Sequence, residues 1–372
     1  MPRILMKKSV PEKKLPDYSP SPVASSEAAE LDDDDLLPGG EFPETGAETP
    51  AEAAVESLAV RRLSVDDAHA GQRLDKALGG LLPEFSRGRL QDWIERGRVL
   101  LNGAPAAVKK LVYAGDELEV SPLPAADAAA YLPEPVPLAV VAETKTLAVI
   151  DKPAGLVVHP AAGNWSGTLL NGLLHRYPRA AGLPRAGIVH RLDKDTSGLM
   201  VVALTLEAQT DLVRQLQARS VGREYLALVW GKPPEQGVVD APIGRDPRQR
   251  TRMAVVHGNA GKPARTHYEV LARTDVNGVA AALLRCRLET GRTHQIRVHL
   301  ASLGHPLLGD ALYGGTAKKY PPLPGGFARQ ALHARRLSLL EPGSHAPLSW
   351  EAPPPPDMAA LLGALELGDA AI

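Results

Sequence analysis

Residues Leu199-Met200-Val201-Val202-Ala203-Leu204 form an unbroken apolar run, and the chain reaches it through Gly187-Ile188-Val189-His190-Arg191-Leu192-Asp193-Lys194-Asp195-Thr196-Ser197-Gly198. Six apolar residues bounded by a turn read as a strand inside a core. Its mouth is crowded with polar groups, and polar groups beside a core must be hydrogen-bonded or put to use. Asp195 fits a turn cap, its carboxylate accepting N–H groups of Thr196-Ser197-Gly198. Asp193 has no evident capping duty. An acid in such a loop can be a nucleophile, a general base or a plain cap, and local spacing alone leaves these open.

The rest of the chain sets this strand in an α+β body. Strand-like runs recur from residue 138 onward: LAVVAET, TLAVIDKP, LMVVALT, REYLALVWG, THYEVLAR and AALLRCRLETG. They alternate with short helices and turns, the pattern of a mixed, largely antiparallel sheet. TLLNGLLHRYP and THQIRVHLASLGH read as amphipathic helices, the second ending near Gly304. The body runs over 138–366, with a short tail at 367–372. Residues 123–137, rich in Pro and Ala, read as a linker. Before them, 59–122 form a small unit. Its apolar residues Leu74, Leu78 and Leu81, then Leu90, Trp93 and Ile94, fall at helical spacing on two helices separated by Pro83. Ser86 is placed to cap the second helix. RVLLNG is a strand entering an Asn102-Gly103 turn, and GDELEV is another strand. Residues 1–58 have few apolar residues and carry Asp32-Asp33-Asp34-Asp35, so they read as a disordered acidic arm.

Charge is unevenly divided. Residues 1–60 hold 5 Lys/Arg against 13 Asp/Glu, so a chain of net charge −1 carries +7 on the remainder. A basic body suits a polyanionic partner. The small unit contributes 10 Lys/Arg against 6 Asp/Glu between residues 61 and 110, with Arg87, Arg89 and Arg98 where a helix–turn–strand presents them together. The lone cysteine, Cys286, excludes an internal disulfide and reads as a buried small residue. No apolar run approaches the ~20 residues of a membrane span, and the N-terminus lacks an apolar signal region. A cytoplasmic location and no membrane partner are expected.

Metal and cofactor signatures fail one by one. Asp193-x-Asp195-x-Ser197-Gly198 starts like a calcium loop, but the twelfth position, which must be acidic, is Leu204. His294 and His299 have no cysteine or paired acid at zinc spacing. Phosphate-binding and dinucleotide glycine fingerprints are absent, as is the Gly-x-Ser-x-Gly elbow. No metal and no cofactor are expected, and any chemistry rests on side chains.

The nonapeptide from His190 to Gly198 resembles the signature of the RluA family of RNA pseudouridine synthases. DKPAGLVVHP precedes it, and REYLALVWG, GKPARTHYEVL and LETGRTHQIRVHLASLGHPLLGDALYGG follow in the family's order, so that the resemblance spans 61–366. RLDKAL, SRGRLQDWIERGRVLLNG and GDELEV resemble the S4 RNA-binding domain. The resemblance implies isomerisation of uridine to pseudouridine: the N1–C1′ bond breaks, the base turns, and it rejoins through C5. Atoms balance, so no cofactor is required. A uridine in folded RNA must be flipped out first. The resemblance further implies Asp193 as the essential carboxylate, paired by Arg297. Tyr225 would stack on the flipped base, and Arg191 would enter the gap the base leaves. Arg87, Arg89 and Arg98 would hold RNA, with Arg292, His294 and Gln295 as further groups able to reach phosphate. The implied partner is ribosomal RNA or a pre-50S particle, with a target in the helix-69 stem-loop of 23S rRNA, and the enzyme acts as a monomer. The same chemistry on another rRNA site or on tRNA, an assembly factor without turnover, and a carboxylate hydrolase are the competing readings.

Overall fold

The structure is a computed structural model that describes residues 60–122, 128–161, 164–249, 251–258, 260–314 and 320–371. The expected acidic arm lies outside the described residues.

Residues 60–122 build a small unit with its own core. Strand β1 (Arg61–Ser64) precedes helices α1 (Leu74–Leu81) and α2 (Arg87–Glu95), followed by β2 (Val99–Leu101), β3 (Ala104–Pro105) and β4 (Glu117–Val120) in the sheet order β1-β4-β2-β3. The helical spacing delivers Leu74, Leu78, Leu90, Trp93 and Ile94 to that core. Ser86 caps α2 as expected, its hydroxyl accepting the Arg89 N–H at 3.4 Å. Asn102 (φ 51°) and Gly103 (φ 79°) make the hairpin turn with both residues left-handed.

The larger body follows. In chain order it comprises β5 (Ala139–Glu143), β6 (Leu147–Lys152), α3 (Leu169–Arg176), β7 (Ser197–Ala203), α4 (Leu206–Gln217), β8 (Gly222–Trp230), β9 (Gln236–Asp240), β10 (Ile243–Arg245), β11 (Met253–Val255), β12 (Arg265–Val276), β13 (Val279–Leu288), α5 (Gln295–Ser302), β14 (Leu332–Leu340), β15 (Pro347–Glu351) and α6 (Pro356–Ala364). Its main sheet runs β5-β6-β7-β14-β8-β13-β12-β9, with β15 paired to β14. Every pairing is antiparallel except β7 with β14. The mixed, largely antiparallel α+β class expected from the sequence is therefore the one observed.

Strand β7 shows why its sequence is apolar from Leu199 to Ala203. Met200 and Val202 face one core with α3 and Ile296 and Leu300 of α5, while Leu199, Val201 and Ala203 face another with α4. A strand covered on both faces cannot alternate with polar residues. Gly198 (φ 114°) lies where β7 meets β14, and a Cβ there would strike the Ala334 carbonyl.

One expected boundary is corrected. Of the expected 367–372 tail, the described residues belong to the core: Leu367 and Ala371 are buried beside α6, because the chain folds back through a turn at Asp369–Ala371. The linker is pinned where it is described. The Asn171 amide at the start of α3 donates to the carbonyls of Ala130 (3.1 Å) and Leu132 (2.8 Å), and Glu134 accepts the Gly167 N–H at 2.9 Å.

Candidate active site

The polar residues at the mouth of β7 divide into two groups. Most of them hold the loop in place. His190 is buried, and its Nε2 accepts the Val201 N–H at 3.1 Å, so the proton of the neutral ring sits on Nδ1. Burial pushes the His190 imidazole down to about 3, assisted by the charge of Arg223. Ser197 bonds His333 at 3.0 Å, and Thr196 accepts from Gln330 at 3.3 Å. The Lys194 carbonyl is gripped by the Lys152 ammonium at 2.9 Å, which also donates to the carbonyls of Pro153 and Leu156. Burial brings Lys152 down to about 7, against the opposing charges of Asp193 and Asp195. Asp195 does not cap the turn. The Thr196 N–H donates to the Asp193 carbonyl instead, and the Asp195 carbonyl accepts from Arg329.

Arg191 and Asp193 form the second group and line a small solvent-open pocket with Tyr225, Arg223, His294, Ile296 and Arg297. Strand β8 supplies Tyr225, whose ring is buried and whose phenol is pushed up by that burial. Helix α5 supplies Arg297. Its Nη1 donates to Asp193 Oδ2 at 2.9 Å, while Nε and Nη2 fork onto Asp310 at 2.8 and 3.0 Å. The guanidinium is thus shared by two carboxylates, one open to the pocket and one fully buried. Burial works against the charge of Arg297, but the bonds to Asp310 and the two carboxylate charges outweigh it and raise its pKa. Burial likewise raises Asp310, yet its bonds to Arg297 and to the Leu312 and Tyr313 amides leave it below the ordinary range. Among the described residues no three His, Cys, Asp or Glu side chains group as metal ligands. The arrangement presents one oriented carboxylate, an aromatic face and an exposed arginine at one opening.

Known proteins resemble this chain over most of its length. Residues 146–302 match the model of the RNA pseudouridylate synthase family. Ribosomal large subunit pseudouridine synthase D of Nitrosomonas europaea is 56% identical over 309 residues, covering 82% of this chain and 87% of that protein. The proteins of the same name from Neisseria meningitidis serogroup A (51%; 80% of each chain) and Pseudomonas aeruginosa (50%; 79% of this chain, 92% of that protein) are similar too. The chain belongs to the RNA pseudouridylate synthase family. It is therefore an RNA pseudouridine synthase, an isomerase. Among solved structures, human RNA pseudouridylate synthase domain containing 1 is 28% identical, covering 60% of this chain and 85% of that one with a TM-score of 0.47.

In this synthase the four residues expected in the pocket, Arg191, Asp193, Tyr225 and Arg297, do come together there. Gln295 does not face phosphate. It is buried and spent on Thr290, Thr266 and the Arg265 carbonyl. The three arginines of the small unit behave differently from one another. Arg87 is committed to the buried carboxylate of Asp75 at 2.7 Å, alongside Arg73 and Gln91. Burial alone would raise Asp75, and these bonds hold it down at about 2. Arg89 stacks over Phe85 and Trp93, 5.2 and 5.1 Å from their ring centres. Arg98 is exposed. Sequence reading missed Asp310, Tyr313 and Arg223. The first two lie in GDALYGG, where an acid before a glycine-containing turn reads as a local cap.

Proposed function

We propose that this synthase converts uridine to pseudouridine in 23S ribosomal RNA, in the helix-69 stem-loop that the family resemblance implies, with Asp193 as the essential carboxylate. The observation that carries the assignment of Asp193 is its 2.9 Å pair with Arg297 at the open end of a pocket walled by Tyr225. A carboxylate at such an opening costs several kcal/mol of desolvation unless paired. Arg297 pairs Oδ2 and fixes the direction of the carboxylate, with Oδ1 3.9 Å from His294 Nε2. In the proposed cycle the uridine is flipped out of the stack and its base lies against the Tyr225 ring. Arg191, exposed at the rim, fills the space the base vacates. Asp193 then acts at close range on the ribose or the base, where proximity converts a hard step into a local one. The small unit, S4-like in its sequence, grips phosphate through the exposed Arg98, with Arg87 and Arg89 on the preceding helix. Support for the ribosomal substrate comes from relatives at about half identity that bear the name ribosomal large subunit pseudouridine synthase D.

The test is a map of pseudouridines in rRNA and tRNA from cells with and without the gene. Loss confined to 23S rRNA sites, restored by the wild-type chain, is the expected result. Loss confined to tRNA would move the substrate while leaving the chemistry intact.

A further inference from the structure

Tyr313 joins two parts of the site. Its backbone N–H and that of Leu312 are held by Asp310, the carboxylate that also forks onto Arg297. Its ring lies 5.0 Å from the guanidinium carbons of both Arg297 and Arg252. Its hydroxyl accepts the Met253 N–H at 3.0 Å and meets His294 Nδ1 at 2.8 Å. The Met253 N–H takes one lone pair of that hydroxyl, which leaves its proton placed to be donated to Nδ1. In a neutral imidazole the remaining proton is then on Nε2. Burial lowers the His294 pKa, with Asp193 opposing that shift, which favours the neutral ring.

Nε2 lines the pocket 3.9 Å from Asp193 Oδ1, beyond hydrogen-bond length. The donor is therefore not consumed by the carboxylate. His294 is also left-handed (φ 58°, ψ 21°), a conformation that costs a non-glycine residue on the order of 1–3 kcal/mol. The fold holds this residue in a costly conformation, with one ring nitrogen tied back and the other beside the acid.

We propose that His294 contacts the substrate, donating its Nε2–H to a carbonyl oxygen of the uracil beside Asp193, with Tyr313 as the positioning residue that fixes its tautomer. This rests on reading the pocket as the uridine site. When the N1–C1′ bond breaks, its electron pair leaves with the base and spreads over the uracil carbonyls. A preset donor there binds more strongly as charge builds, so it acts on the rate more than on affinity. No proton passes to or from His294.

The experiment has two arms on the full chain. First, ¹⁵N spectra of the histidine-labelled wild-type protein should show His294 with Nε2 protonated and Nδ1 bare, and Tyr313→Phe should mix the tautomers. Second, single-turnover conversion and RNA affinity are measured with a 23S rRNA transcript. His294→Phe should lower the rate about 100-fold and leave affinity within about threefold, while His294→Gln, which keeps a donor near the Nε2 position, should stay within about tenfold of wild type. A proton on Nδ1 in the wild-type spectrum, or equal losses in the Phe and Gln variants, would overturn the proposal. Failure of the pocket reading is separately visible, as full turnover by Asp193→Asn.

Discussion

Removing Arg297 tests the packing and the chemistry of the site together. The Arg297 side chain is 8% exposed and bridges Asp193 to Asp310, whose side chain has no exposure at all. In Arg297→Ala both acids lose their cation. Breaking a buried pair costs about 3–5 kcal/mol. Asp310 retains two backbone N–H donors, at 2.9 and 3.0 Å, which places the expected loss near the lower end, about 3 kcal/mol. The sign with pH follows from the same group. Wild-type Asp310 lies below its unfolded value, so its stabilisation is present above the ordinary carboxylate range and is lost as pH falls through the folded pKa. The stability gap between wild type and variant should therefore be widest near neutrality and shrink in acid. Urea midpoints at several pH values measure it. Turnover should fall at least about 100-fold, the scale of a misplaced reacting group. Arg297→Lys, a point charge able to serve only one carboxylate well, should fall between the two. Equal midpoints at neutral pH with unchanged turnover would refute the shared-guanidinium reasoning.

Other expectations follow from single contacts. His190, neutral in the fold at about 3 against 6.5 unfolded, should draw stability out as pH falls below 6.5, by about 2 kcal/mol at pH 5, and His190→Gln should flatten that slope in urea titrations. Gly198→Ala should cost about 2 kcal/mol or more, since φ is 114° and the new methyl meets the Ala334 carbonyl; a thermal midpoint equal to wild type would contradict this. Deleting residues 1–122 should flatten the salt dependence of RNA affinity while deleting 1–58 should not, because each phosphate neutralised by the small unit releases counterion. Equal slopes for full-length protein and the 1–122 deletion would take phosphate contact away from that unit.

Much of the fold was legible because its strands are short and distinctly patterned. β7 announced itself by the apolar run from Leu199, and β8 and β13 by long aliphatic runs. The parallel pairing of β7 with β14 was not legible, since it joins Ser197 and Gly198 to His333 and Ala334 far along the chain. Helix α4 went unread between two strands. Its buried face mixes Gln209 and Gln215 with Ala208 and Leu212, although the helix as a whole is amphipathic. The final residues looked like a tail because so short an apolar pair as Leu367 and Ala371 has no periodicity to betray its burial. In the site, Arg191, Asp193, Tyr225 and Arg297 were reached through family resemblance, as no spacing rule links positions so far apart. Asp310 and Tyr313 escaped because their roles exist only in three dimensions. A turn residue gives no sign in sequence that its carboxylate also clamps an arginine from α5. Asp195 shows the converse error: a plausible local cap that the turn closes without, through the Asp193 carbonyl.

The central claim is that Asp193 does the chemistry while the rest of the pocket binds and orients. The most direct measurement takes Asp193→Asn and wild-type protein through pseudouridine yield and RNA affinity on the same preparations. The amide is nearly the same size but is neither nucleophile nor base, and it can still accept from Arg297 Nη1. The account predicts RNA affinity close to wild type and no detectable pseudouridine. Turnover near the wild-type rate in the Asn variant would contradict it.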